Sequence, residues 1–278
     1  MIPFDIAYLR AETVEEAVSI FAESLAAGKN PRYFAGGTEL VTSARDATVT
    51  YDTVIDIKRI PETTVVDTGT MEFGAAVRLS RIADLPELDI ISRCAGGVAD
   101  RTARNSITFG GNICGMLPYR EAALPVLLLN GSFRIAGPEG VRDVPAMEAF
   151  EKRLHLAKGE LLVSVVFPEP APRKTCYVRR TREPRVDYPL ATVAMASVEG
   201  GIRCAIGGAF GYPVRNTAAE EVLSGYLTGR GTPEDLAEQA VGRIPDRLWD
   251  DLRGTGEYRR ALLVQAMAQG LVALEAGT

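Results

Sequence analysis

The chain has 278 residues, 46% apolar and 24% charged, with 31 Lys plus Arg against 36 Asp plus Glu and a formal net charge of −5. That balance suits a globular protein with a real core, in one large domain or a few small ones at roughly 100–200 residues each, and its mild acidity argues against a general nucleic-acid binder, which needs a positive field. No apolar run approaches the roughly 18–20 residues of a membrane span, and the opening Met1-Ile2-Pro3-Phe4-Asp5 lacks the basic start and apolar stretch of a signal peptide, so no membrane contact and a cytoplasmic location are expected.

In chain order, Ile2 to Tyr8 reads as extended. Thr13-Val14-Glu15-Glu16 is a capping-box pattern. Val14, Ala17, Val18, Phe21 and Leu25 follow at helical spacing, and Gly28 ends the helix. Arg32 to Ala35 reads as a strand running into Gly36-Gly37, and Thr53 to Ile57 as the next strand. From about 60 to 170 short strands and turns alternate. Thr70 to Val77, Phe133 to Ala136 and Leu161 to Phe167 read as strands. Ser80 to Leu85 starts a short helix and Leu88 to Arg101 a longer one. Leu124 to Leu129 is wholly apolar, so its period does not separate helix from buried strand. Pro168-Glu169-Pro170-Ala171-Pro172 is the best linker, because prolines extend neither a helix nor a ladder. After it, Lys174 to Arg180 pairs with a hairpin of Ala191 to Glu199, Gly200-Gly201 and Ile202 to Gly207. Ala218 to Leu227, Pro233 to Val241 and Tyr258 to Leu274 are helical. Strands first and helices last predict an α+β second domain, with a boundary near 170.

Scarce residues remove much chemistry. The one histidine, His155, lies in a loop or short helix and reads as a solvated surface residue. No G-x-S-x-G elbow accompanies it. Cys94, Cys114, Cys176 and Cys204 form none of the close pairs of zinc or iron–sulfur sites and read as reduced core thiols. Neither G-x-G-x-x-G nor G-x-x-x-x-G-K-[ST] occurs. No catalytic residue and no metal ligand is therefore assigned.

Two glycine motifs remain. Tyr33-Phe34-Ala35-Gly36-Gly37-Thr38-Glu39-Leu40 runs a strand into adjacent glycines, then a hydroxyl and a carboxylate. Arg104-Asn105-Ser106-Ile107-Thr108-Phe109-Gly110-Gly111-Asn112 combines a hydroxyl, two glycines and a side-chain amide. Glycine pairs let a phosphate approach the main chain and let successive amides turn toward it. Either motif alone is an ordinary turn. Together they suggest two loops clamping one diphosphate, with the main-chain N–H groups of both bends converging on it.

These motifs carry a family resemblance. Ala35-Gly36-Gly37-Thr38-Glu39-Leu40 resembles the A-G-G-[TS]-x-L, and Arg104 to Asn112 the R-N-x-x-T-x-G-G-N, of the FAD-binding medium subunits of molybdenum hydroxylases, the xanthine dehydrogenase and carbon monoxide dehydrogenase family. The likeness spans nearly the whole chain: Phe4 and Tyr8 in the opening strand, Arg180 to Ala196 after the linker, Gly207-Gly208 to Pro213-Val214-Arg215, and Tyr258-Arg259-Arg260. It implies an α+β protein with a vanillyl-alcohol-oxidase-type FAD-binding domain over 1–170, in two α/β subdomains of about 1–56 and 57–170. A C-terminal domain of antiparallel sheet and helices follows over 173–278. It implies FAD held by Tyr33, Phe34, Ala35, Gly36, Gly37, Thr38, Glu39 and Leu40 and by Thr108, Gly110, Gly111 and Asn112. By position, Glu121 stands where the family has an Asp at the flavin nucleotide. Leu162 matches an apolar residue against the ring, and Arg179 or Arg180 a cation at its pyrimidine edge. The implied partners are an iron–sulfur subunit, a molybdopterin-binding large subunit and a soluble acceptor such as NAD.

After G-G-N the chain departs from the family. Where that pattern has a small Ala-Ser pair before the proline, this chain has Met116-Leu117, and its acid, Glu121, follows Arg120. The departure motivates one alternative, a flavin-poor assembly subunit. A stand-alone FAD reductase on a related fold is another. The basic segment Arg173, Lys174, Arg179, Arg180, Arg182 and Arg185 reads as a solvated strand face or as a surface toward the flavin or the iron–sulfur partner. Tyr119 and Tyr188 read as half-buried tyrosines or as covers for the ring.

Overall fold

The computed structural model describes residues 2–168, 172, 174–184 and 186–276. Most of the Pro168–Pro172 linker, and Arg173 and Arg185 of the basic segment, lie outside the described residues. The chain divides into two compact units. One comprises Met1–Ile82, Arg101–Gly115 and Gly131–Glu169; the other comprises Ala83–Asp100, Met116–Asn130 and Pro170–Thr278.

The first unit opens on a parallel three-stranded sheet. Thr53–Asp56 lies in the centre, between Ala7–Arg10 and Pro31–Phe34. Strand formation begins at Ala7, later than the expected Ile2. The helix Val14–Ala26 starts as read: Thr13 Oγ1 accepts from Glu16 N at 3.1 Å. The Glu16 carboxylate reaches back to the Glu12 amide at 2.7 Å, one residue earlier than in an ideal capping box. The helix ends in a Schellman arrangement, with Gly28 N on Leu25 O and Lys29 N on Ser24 O. Between Pro31–Phe34 and Thr53–Asp56 the chain forms a helix, Thr38–Arg45, which the sequence reading omitted. The helix is short, and of its eight residues only Ala44 is buried, so few core positions mark it in the sequence.

The same unit holds an antiparallel five-stranded sheet in the order Val66–Asp67, Glu72–Gly74, Leu161–Val166, Ser132–Gly137, Gly140–Pro145. The central strand, Leu161–Val166, is buried over its first five residues, and its register shifts between Leu162 and Ser164. Phe21, Ile55, Ala76, Leu161 and Val163 share one apolar cluster that joins the helix Val14–Ala26 to both sheets.

The second unit is an antiparallel sheet of Lys174–Thr181, Pro189–Val198, Gly201–Gly207 and Val214–Arg215. The helices Thr217–Ser224 and Gly256–Ala276 pack on it, and Pro233–Gly242 packs on those two helices. Pro189–Val198 is buried over eight successive residues, because Gly256–Ala276 and the helix Ala123–Leu128 both pack on it. Ala123–Leu128 thereby resolves the helix-or-strand ambiguity of that apolar run. The long helix expected over Leu88–Arg101 is instead a 3₁₀ turn, Pro86–Leu88, and two helices, Ile90–Gly97 and Arg101–Arg104. Gly96-Gly97 weaken the helix, and Ala99 at φ 48° cannot continue it. No helix among the described residues is long and apolar enough to cross a membrane.

Candidate functional site

The first glycine bend joins the edge strand Pro31–Phe34 to the helix Thr38–Arg45. Gly37 stands at its N-cap with φ +68°, and a Cβ there would lie 2.4 Å from the Phe34 ring. Conformation and space both demand glycine. A glycine cap offers no side-chain oxygen, so the first-turn donors of this helix are not satisfied in the usual way. The first helical bond runs from Val41 N to Gly37 O. Among the described residues, no acceptor takes the N–H groups of Gly36, Gly37, Thr38 or Leu40. They form a run of main-chain donors, half-buried except at the exposed Thr38, at a positive helix end, which is chemistry for an anion.

The second bend behaves differently. Thr108 caps the short helix Phe109–Cys114, its Oγ1 accepting from Gly111 N at 3.2 Å. Phe109 N donates to Val77 O at 2.8 Å and Gly110 N to Ala75 O at 2.9 Å. A Cβ on Gly110 would sit 2.4 Å from the Ala75 methyl. Here the glycines serve close packing and the amides already have partners. The expectation that both bends present main-chain donors therefore holds for the first bend only. What the second bend contributes outward is the exposed main chain at Gly111 and the half-buried Asn112.

The two bends nevertheless meet within the first unit. A Cβ on Gly36 would lie 2.1 Å from the Ser106 carbonyl oxygen and 3.3 Å from Thr108 Cγ2. Gly36 is glycine because another stretch of main chain occupies the space of its side chain. A Cβ on Gly115 would likewise approach Glu39 Oε2 to 2.6 Å, which brings the Thr38–Arg45 helix near the end of Phe109–Cys114.

Three further expected residues, Tyr33, Leu40 and Leu162, belong to the same unit. Tyr33 stacks on Phe21 with ring centres 5.0 Å apart, and its hydroxyl donates to Gly159 O at 2.7 Å. Burial pushes its phenol pKa up. It is a half-buried residue packed against the core beside the bend. Leu40 packs against the cluster of Ala44, Tyr51 and Val54, as Phe34 does from the strand side. Leu162 is buried in the central strand opposite Ile135.

Glu121 and Arg179 lie in the second unit and are bonded to each other. Glu121 is 2% exposed. Its carboxylate accepts from Arg179 Nε at 3.1 Å, the Tyr177 hydroxyl at 2.8 Å and the Thr192 hydroxyl at 2.9 Å. The sheet explains the cluster: Tyr177 and Arg179 alternate along one strand, and Thr192 is the cross-strand partner of Arg179. Arg179 Nη2 donates in addition to Asp187 O at 2.6 Å. Burial, and secondarily the Glu121 charge, drive the Tyr177 phenol pKa far upward. Arg180 instead bonds Gln269. Tyr119 and Tyr188 stack on one another at 4.5 Å, 21° from parallel. Met116 and Leu117 are exposed.

His155 is exposed, one ring nitrogen 3.2 Å from Glu151 O. Cys94, Cys176 and Cys204 are buried as expected. Cys114 is exposed, because it ends a helix of only six residues, which corrects the all-core reading. Among the described residues, no group of three or more His, Cys, Asp or Glu is arranged to hold a metal ion.

The sequence reading also missed the support of the first bend. Lys58 Nζ lies 2.7 Å from Asp56 Oδ1, 3.2 Å from Ala35 O and 4.7 Å from the centre of the Phe34 ring. The Tyr8 hydroxyl bonds the same Asp56 carboxylate. The available signal was an Asp-x-Lys at the end of a strand, which becomes meaningful only once that strand is known to lie beside Pro31–Phe34.

Residues 3–170 match the family model described as the FAD-binding domain in molybdopterin dehydrogenase. The chain is 28% identical to the glyceraldehyde dehydrogenase medium chain of Sulfolobus acidocaldarius, over 95% of this chain and 96% of that one. It is 26% identical to a putative xanthine dehydrogenase FAD-binding subunit of Escherichia coli, over 97% and 96%. Among solved structures, a chain of carbon monoxide dehydrogenase from Hydrogenophaga pseudoflava superposes with a TM-score of 0.84 at 25% identity, covering 100% of this chain and 99% of that one.

Proposed function

The chain belongs to the family of FAD-binding domains of molybdopterin dehydrogenases, and from that premise we propose that it is the flavin-carrying subunit of a multi-subunit molybdenum hydroxylase. Its cofactor is FAD. The chemistry supplied by bound flavin is electron relay, here between an iron–sulfur partner and a soluble acceptor such as NAD. The molybdopterin-binding large subunit would carry the substrate site.

The single observation behind this reading is the run of donor groups at Gly36, Gly37, Thr38 and Leu40, which no acceptor among the described residues takes. These N–H groups would hold the diphosphate. Glycine at 36 and 37 keeps side chains out of its approach, and the helix end adds a favourable field. Thr108, Gly110, Gly111 and Asn112 would support it from the adjoining bend, chiefly through shape and the Asn112 amide. Leu162, buried in the central strand, would support the site from the core. Within the second unit the Glu121 oxygens are occupied by Tyr177, Arg179 and Thr192, so of that pair Arg179 is the group that would meet an anion. Glu121 acts on it by anchoring. The protein contributes binding, orientation and electrostatics and needs no acid or base of its own, which agrees with a chain holding one histidine that is exposed.

The test is purification of the full chain, alone and co-expressed with candidate iron–sulfur and molybdopterin chains. The expected result is a yellow protein that releases FAD on acid treatment and co-purifies with both chains. A colourless protein that stays apo when FAD is added overturns the reading.

A further inference from the structure

We propose that Lys58 is a positioning residue for the diphosphate bend: it fixes the Ala35–Gly36 peptide so that the Gly36 N–H faces the ligand rather than the protein. The inference rests on the reading of that bend given above. Two adjacent glycines offer little resistance to rotation of the peptides around them, so a bend that must present N–H groups in one direction needs an external anchor. Lys58 is placed to be that anchor. Its ammonium donates to the Ala35 carbonyl at 3.2 Å and to Asp56 Oδ1 at 2.7 Å, and it lies over the Phe34 ring at 4.7 Å. In a trans peptide the C=O and N–H point in opposite directions, and no described peptide is cis. Holding the Ala35 oxygen on Lys58 therefore turns the Gly36 N–H the other way, where no acceptor among the described residues takes it.

The anchor is itself held. Asp56 is buried, receives the Lys58 main-chain N–H at 2.9 Å, and takes a further bond from the Tyr8 hydroxyl. Ile57 N donates to Phe34 O at 3.0 Å, which ties the anchor strand to the strand feeding the bend. Because Asp56 neutralises the ammonium at short range, the role of Lys58 is orientation more than added positive field. If the Ala35–Gly36 peptide turned over, it would present a carbonyl oxygen to the phosphate in place of a donor.

The experiment uses the full-length apoprotein and three probes: FAD, ADP (the diphosphate without the ring) and riboflavin (the ring without the diphosphate). Loss of one charge-assisted hydrogen bond corresponds to about a tenfold change in affinity. Lys58→Met is expected to weaken FAD and ADP by about that factor while riboflavin is unchanged, and Lys58→Arg, which keeps a donor, to stay within about threefold of wild type. Should Lys58→Met not fold, Asp56→Asn, which releases the ammonium without removing it, is expected to show the same probe selectivity with a smaller effect. Unchanged FAD binding in Lys58→Met, or equal weakening of FAD and riboflavin, overturns the inference. Wild-type protein that binds neither FAD nor ADP overturns the reading of the bend instead, so the two failures are distinct.

Discussion

Replacing Gly36 by alanine tests the meeting of the two bends. The added methyl would stand 2.1 Å from the Ser106 carbonyl oxygen, 3.1 Å from its carbon and 3.3 Å from Thr108 Cγ2. Relieving the first contact requires the bends to part by roughly 1 Å. Neither side yields easily. The second bend is held by Leu79 N on Ile107 O at 2.9 Å, Phe109 N on Val77 O and Gly110 N on Ala75 O. The first is held by Lys58 on Ala35 O and by Phe34 in its apolar cluster. Overpacking of this kind costs about 1–3 kcal/mol. At about 2–4 °C per kcal/mol for a domain of this size, the melting temperature should fall by roughly 2–12 °C. The assay is thermal unfolding of the apoprotein followed by circular dichroism, with FAD affinity measured on the same samples and expected to weaken. Gly242→Ala is the control: it ends the helix Pro233–Gly242 with open space around its Cβ, so its effect should be neutral or slightly stabilising. A Gly36→Ala protein that melts with wild type and binds FAD equally would refute the claim that the bends touch.

Other perturbations probe the surrounding structure. Glu121→Ala leaves the Arg179 guanidinium and the Tyr177 and Thr192 hydroxyls without their shared acceptor, and urea unfolding should show a loss of about 3 kcal/mol, reduced in Glu121→Gln. Burial alone would raise the Asp56 carboxyl pKa, but hydrogen bonds from Lys58 and Tyr8 outweigh it and hold the group below the ordinary carboxylate range. A depressed folded pKa stabilises above the unfolded value of about 4 and ceases to do so as pH falls through the folded one. The melting-temperature gap between wild type and Asp56→Asn should therefore be steady near neutrality and narrow in acid; a gap that persists to the acid end counts against the Lys58–Asp56–Tyr8 arrangement. Among the four cysteines, a thiol reagent at neutral pH should label Cys114 first. Cys94 and Cys204, whose thiols burial pushes far up in pKa, should react only after unfolding.

Features that rest on local rules were legible in the sequence. Thr13 and Gly28 bracket their helix because capping and left-handed termination need particular residues at particular places. The antiparallel strands after the linker stood out because Ala191–Val198 is mostly apolar and runs into the Gly200-Gly201 turn. The helix Thr38–Arg45 was not legible, since it buries a single alanine and forms because Gly37 turns the chain. The exposed strand Gly140–Pro145 was missed for a similar reason: it lies at the sheet edge and shows no alternation of buried and exposed residues. At the candidate site the diglycine motifs were visible, but their division of labour was not. Whether an amide is available depends on the carbonyls opposite it, here Val77 and Ala75, and those are brought close only by the fold. Glu121 shows the same limit. Its position in the motif suggested a ligand contact, whereas strand register gives it three protein donors.

Amide hydrogen exchange across residues 34–41, with and without saturating FAD, probes the diphosphate bend most directly. Main-chain donors at Gly36, Gly37, Thr38 and Leu40 that receive a diphosphate should become strongly protected when FAD binds, while Phe109 and Gly110, whose amides are bonded already, should be slow in both states. FAD binding that leaves exchange over 34–41 unchanged would contradict the assignment of this bend.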